Sequence, residues 1–245
     1  MNKKTSQSKF EAINVSKIYG INLAGANVYL IKGAKGYVLV DAGPPGTDEL
    51  LLNHLQKYHI QLPDIKLIVI THVHYDHVGN LAFLKEKCNC LVLVHAREKE
   101  LLETAKIVVP PATGLLGKII SWVGNLLPTV HQSFTPVKPD IVISSDFSLQ
   151  DYGIEGSALE TPGHTNGSIS VVLKDTVAGS AAFVGDLAFN LTSKAFPLYA
   201  ESSTTVWESW KKLMDSGALQ IYPGHGKWPF PVERMVREYT KYKKA

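Results

Sequence analysis

One stretch limits this chain more than any other: Lys66 to Thr71 reads KLIVIT, and it runs directly into Thr71-His72-Val73-His74-Tyr75-Asp76-His77. A short, continuous apolar run is the pattern of a strand covered on both faces, which requires layers of structure above and below it. Its C-terminal end then carries four metal-competent side chains within six residues. Alternate residues of a strand share a face, so His72 and His74 can point the same way, and a turn toward a following helix brings Asp76 and His77 back over the same spot. Imidazole and carboxylate in one compact cluster suit zinc.

The flanking sequence supplies the layers. Phe10 to Tyr19, Ala26 to Lys32 and Tyr37 to Asp41 have strand character with glycines between them and predict an antiparallel meander. Helices are predicted over Asp48 to Tyr58, about Val78 to Lys87 and Arg97 to Lys106, with a strand at Leu91 to His95. A second run of strands is expected at Ile141 to Gln150, Ser157 to Thr161, Ile169 to Leu173, Ala181 to Val184 and Leu219 to Tyr222. Helices at Thr205 to Met214 and Val232 to Tyr242 accompany it. Strands alternating with helices imply a layered α/β fold, read as one domain over residues 1–245. Between the two runs, Ile107 to Pro136 has prolines at both ends and an apolar centre too short to span a bilayer, the pattern of an inserted cap.

A formal charge of +3 is a mild bias with no basic module, so no nucleic-acid partner is expected. The basic start has no apolar segment behind it, and no run is long enough for a transmembrane helix. Cys88 and Cys90 are the only cysteines; one residue apart, they suit reduced thiols in a cytoplasmic protein.

Three more segments place a glycine-marked turn beside a strand: Thr161-Pro-Gly-His164-Thr, Val184-Gly-Asp186 and Tyr222-Pro-Gly-His225-Gly. Turns at strand ends are where a layered fold can gather distant ligands. In order, HxHxDH, PGHT, GD and PGHG resemble the metallo-β-lactamase superfamily over nearly the whole chain. The resemblance implies an αββα sandwich of two mixed sheets flanked by helices, with metals at one edge. It implies His72, His74 and His164 as ligands of one metal, Asp76, His77 and His225 as ligands of a second, and Asp186 as a bridge. Two cations sharing a carboxylate lower the pKa of water and polarise a carbonyl, with Asp76 orienting the water or moving its proton. Two zinc ions are expected, with iron, manganese or cobalt as alternatives. The resemblance also makes Asp41, in VDAG, an acid that holds the metal-binding loop by hydrogen bonds, beside the plainer reading of a turn aspartate. His54, His59, His95 and His131 match no ligand position and are expected in surface or packing roles.

Departures narrow the branch. Glyoxalase II resembles this chain in HxHxDH but continues into a helical domain, and Leu187 to Lys194 (LAFNLTSK) lacks its segment after the bridging aspartate. Persulfide dioxygenases, with one iron, differ in that same segment and stand as the oxidoreductase alternative. β-Lactamases are exported and lack the bridging aspartate, and related nucleases carry a tRNA-binding arm. Lactonases and small esterases remain, although the tyrosine common in lactonases is here Phe189. The expected reaction is hydrolysis of a small lactone, ester or thioester. Pocket candidates are Phe189, Trp122, Leu116 and Ile119, the last three in the insert. The insert's apolar side chains suit a flap over the site and packing on the sandwich or a homodimer contact equally well, with a membrane-touching segment as the less favoured third reading.

Overall fold

A computed structural model gives the fold and describes residues 16–114, 117–119, 133–177 and 179–244. Strands β1 (Lys17–Leu23), β2 (Ala26–Gly33) and β3 (Gly36–Val40) form the expected antiparallel meander. Helix α1 (Asp48–Lys57) leads to β4 (Ile65–Val69), which lies parallel to β3. Two short helices, α2 (Tyr75–Val78) and α3 (Leu81–Cys88), precede β5 (Leu91–His95), and α4 (Lys99–Thr104) follows it. Strand β6 (Ile141–Ile143) extends the parallel set. The second half comprises β7 (Phe147–Ser148), β8 (Gly156–Glu160), β9 (Ile169–Leu173) and β10 (Ala181–Asn190). Helix α5 (Ser203–Asp215), β11 (Gln220–Gly226), β12 (Phe230–Pro231) and α6 (Glu233–Lys244) complete it.

The alternation of side chains builds the layers. Val38 and Val40, Leu67 and Val69 from the first half meet Val171 and Leu173, Ala181 and Phe183 from the second in one shared core. The neighbours on the opposite face, Leu39 and Ile68, pack with Leu51, Leu55 and Leu84 of the first-half helices. Val172, Ala182 and Val184 pack with Val206, Trp210 and Leu213 of α5 and Met235 of α6. Strands that present apolar groups on both faces therefore lie between helical layers, which is the expected αββα sandwich. The two half-sheets join in one hydrogen-bonded path through β2 and β11 at the pair Ala26 and His225.

Four elements differ from expectation, each for a local reason. The helix expected from about Val78 begins at Leu81 as α3, with the four-residue α2 ahead of it, because Gly79 lies tight against Pro44 and Pro45, and Asn80 turns its amide onto the Ala42 carbonyl and Thr47. The strand expected over 141–150 is cut at Ser144 to Asp146, where the chain passes from β5's partner to β8's. Strand β10 runs on past Val184 to Asn190 through irregularities around Gly185, whose positive φ and contact with Thr71 leave no room for a side chain. Strand β11 carries Pro223 to His225 within itself, so the expected turn is part of the strand. Of the strand expected over Phe10 to Tyr19, only its end falls in β1; residues 1–15 lie outside the described ones.

The start of the insert lies along the segment before α5: Thr113 donates to the Leu198 carbonyl, Ala200 donates to that of Pro111, and Ala112 bridges Tyr199. Its end buries Phe134 in the first-half core. Among the described residues, no helix is long and apolar enough to cross a membrane.

Candidate metal centre

The chain leaves β4 into Thr71 to His77, and Asp41 fixes that departure. Its carboxylate accepts from the Thr71 amide, the Thr71 hydroxyl and His77 Nδ1, each at 2.8 Å. Asp41 does this from the left-handed region, at φ +62°, which a non-glycine residue rarely occupies unless its surroundings hold it there. The loop-holding reading of Asp41 thus fits better than that of a plain turn residue.

Each of five histidines spends one ring nitrogen outward. His72 Nδ1 meets the Thr71 hydroxyl at 3.0 Å; that hydroxyl's own proton goes to Asp41, so the imidazole donates. His164 Nδ1 donates to the Tyr199 carbonyl at 2.8 Å, and His225 Nδ1 to that of Gly25 at 2.9 Å. His74 Nε2 donates to the Val108 carbonyl at 3.0 Å, and His77 Nδ1 to Asp41. These partners set the tautomers and leave the five other nitrogens facing inward.

The inward atoms crowd together. His74 Nδ1 stands 3.0 Å from His72 Nε2 and 3.2 Å from His164 Nε2. His225 Nε2 lies 3.2 Å from Asp76 Oδ2 and 3.4 Å from Asp186 Oδ1. His77 Nε2 and Asp186 Oδ1 face each other at 3.2 Å, yet both are buried without a hydrogen-bonding partner. Lone pairs this close repel unless a positive charge lies among them, and buried polar atoms are rarely left unpaired. Two groups could each hold a cation: His72, His74, His164 and Asp186, and beside them Asp76, His77 and His225.

Residues 21–225 match the sequence profile of the metallo-beta-lactamase superfamily. The chain belongs to that superfamily. It is similar to a probable metallo-hydrolase of Methanocaldococcus jannaschii, 28% identical over 218 residues that cover 88% of this chain and 93% of that one. A probable metallo-hydrolase of Bacillus subtilis is 29% identical over 248 residues, covering 90% and 87%. Among solved structures, the subclass B3 metallo-β-lactamase BJP-1 of Bradyrhizobium japonicum aligns with a TM-score of 0.63 at 21% identity, over 94% of this chain and 89% of that one. At that identity the likeness is one of fold. This superfamily membership and the cluster together imply a divalent metal.

The charges divide across the superfamily cluster. Burial, reinforced by the neighbouring imidazoles, pulls His72 well below the usual histidine range, and burial brings His164 down to about 4. Burial acts on His77 and His225 in the same sense but is outweighed: Asp186 and Asp41 raise the first well above its ordinary value, and Asp186 with Asp76 raises the second. Burial disfavours the Asp186 carboxylate, but His225, His77 and His164 hold it well below the usual carboxylate range.

A cavity of about 300 Å³ opens onto His74, Asp76, His164, Asp186 and His225. Ile107, Val109, Pro110, Phe189 and Leu191 form its apolar wall, with Tyr75 and Tyr199 beside them. Phe189 was expected here and lies stacked on His225, rings 5.4 Å apart and 10° from parallel. Ile119 was expected as well but is exposed and is not among the lining residues; of the insert's described residues, Ile107, Val109 and Pro110 line the cavity. Leu116 and Trp122 lie outside the described residues, as does His131. His95 is buried in a packing position and pairs with Glu160 at 2.7 Å. Both cysteines are buried free thiols. Sequence reasoning missed Glu98, Tyr199 and the Val108 carbonyl, because none sits in a motif: Tyr199 and Val108 act by their backbone carbonyls, and the Glu98 carboxylate accepts from a backbone amide.

Proposed function

We propose that this metal-dependent hydrolase holds two divalent metals, zinc by donor chemistry, and hydrolyses a small uncharged lactone, ester or thioester in the cytoplasm. The observation that carries the reading is the set of five histidines whose tautomers are fixed outward while their free nitrogens, Asp76 and Asp186 converge without partners enough of their own. His72, His74 and His164 would hold one metal, Asp76, His77 and His225 the other, with Asp186 shared between them. When bound, such a pair supplies a water that ionises near neutral pH and polarises a carbonyl.

The chain's own residues do the rest. Burial raises the Asp76 carboxyl, but His77 and His225 more than offset it, so the group is a carboxylate at neutral pH. From the cavity wall it orients the attacking water and accepts its proton, then returns a proton to the leaving group. Ile107, Val109, Pro110, Phe189 and Leu191 receive the acyl part and exclude water from it. No Lys or Arg is among the described lining residues, which disfavours glutathione thioesters and other anionic substrates.

Elemental analysis of untagged protein, paired with a lactone and ester panel and with oxygen uptake, tests the reading. About two zinc, manganese or cobalt per chain with hydrolysis and no oxygen use is the expected result. About one iron with oxygen consumption would move the chain to the dioxygenase alternative.

A further inference from the structure

Three acids are buried among the described residues, and two of them, Asp41 and Asp186, face histidines. The third is Glu98, immediately before α4 and only 2% exposed, which makes no ion pair among the described residues. Burying a carboxylate is costly unless its oxygens are well bonded. Glu98 Oε2 accepts from the amide of Val73 at 2.8 Å, and Val73 is the residue between His72 and His74. Asp41 holds the amide of Thr71, so the two carboxylates grip the backbone on either side of His72.

Glu98 also meets the turn that carries His164. Gly167 lies so close that a Cβ there would stand 2.5 Å from Glu98 Cγ and 2.7 Å from Oε1. One side chain therefore touches the backbone of both segments that supply His72, His74 and His164.

We propose that Glu98 is a positioning residue for the first metal: it sets the spacing of His72 and His74 and braces the His164 turn against them. The inference rests on the metal reading above and is independent of the substrate. Carbonyl and carboxylate groups that orient metal ligands from behind typically contribute about 10- to 100-fold in metal affinity.

The test is titration of full-length chain with Zn2+ alone against a competing chelator, in a His225→Ala background that leaves the first group as the metal site. Glu98→Ala and Glu98→Asp should weaken binding about 10- to 100-fold. Glu98→Gln, whose amide oxygen can still accept from Val73, should stay within about threefold of the parent. Gly167→Ala, which displaces the carboxylate, should match Glu98→Asp and carries the test should Glu98→Ala fail to fold. Parent-like affinity in Glu98→Asp and Gly167→Ala would overturn the assignment. So would a loss in Glu98→Gln as deep as in Glu98→Asp, or a loss matched by an equal fall in stability of the metal-free chain. Because the readout uses zinc and no substrate, failure of the ester or lactone reading leaves it untouched.

Discussion

His72, His74 and His164 meet with one carboxylate among them, Asp186, whereas His77 and His225 gather with Asp76 and Asp186, and His77 with Asp41 as well. The first group is held by a hydroxyl and two carbonyls, and burial keeps His72 and His164 below the usual histidine range. The second is held largely by anions, which draw protons onto its histidines. His72 and His164 can therefore receive a cation without releasing a proton, while His77 and His225 exchange protons for one.

The most severe way to break that division is to remove the residue both groups share. Asp186→Ala should cut hydrolysis roughly a thousandfold and lower metal content in both groups, while Asp76→Ala should empty the second alone. Metal analysis and kcat on the two variants check this. Full turnover in Asp186→Ala would end the two-metal scheme.

pH sharpens the same contrast in the metal-free chain. His164 titrates at about 4 when folded, against an ordinary 6.5, so between those values the unfolded chain binds more protons and the native state loses stability as pH falls. Integrated over that window the loss is about 3 kcal/mol. His77 and His225 are raised, so their contribution is present below the ordinary histidine value and disappears as pH rises through their folded values. Denaturant unfolding across pH after chelation should show both arms, and His164→Gln should make the acid arm shallower without moving the other. With metal bound, acidification should empty the His77 and His225 group first, which metal retention after dialysis at stepped pH would report.

How much of this was legible in the sequence follows the same line between side chain and backbone. The ligand candidates could be read because each sits in a short motif at a strand end, and the layers because KLIVIT and the second strand run are apolar on both faces. Asp41 was legible through VDAG. Glu98 was not, since an acid opening a helix of mixed charge looks solvated until the fold sets Val73 and Gly167 against it. The division of the expected strand at Ser144 was hidden for the same reason: both pieces carry strand character, and only their partners differ. Within the described part of the insert, Ile119 is exposed while Ile107, Val109 and Pro110 line the cavity, because an apolar run does not say which of its members turns inward.

The smallest expected effect decides which group the reacting carbonyl faces. Phe189 lies over His225 of the second group, while Tyr199 is joined through its carbonyl to His164 of the first, and both line the cavity. A carbonyl polarised beside the second group would gain a donor in Phe189→Tyr. A neutral hydrogen bond contributes about 0.5–1.5 kcal/mol, so kcat on a lactone should rise by up to about tenfold with KM little changed. Tyr199→Phe should then leave kcat nearly unaltered, because its backbone carbonyl still holds His164. An unchanged kcat in Phe189→Tyr together with a fall of similar size in Tyr199→Phe would seat the carbonyl on the first group. In that case the imidazole-rich half polarises the substrate, and the carboxylate-rich half manages the proton and the leaving group.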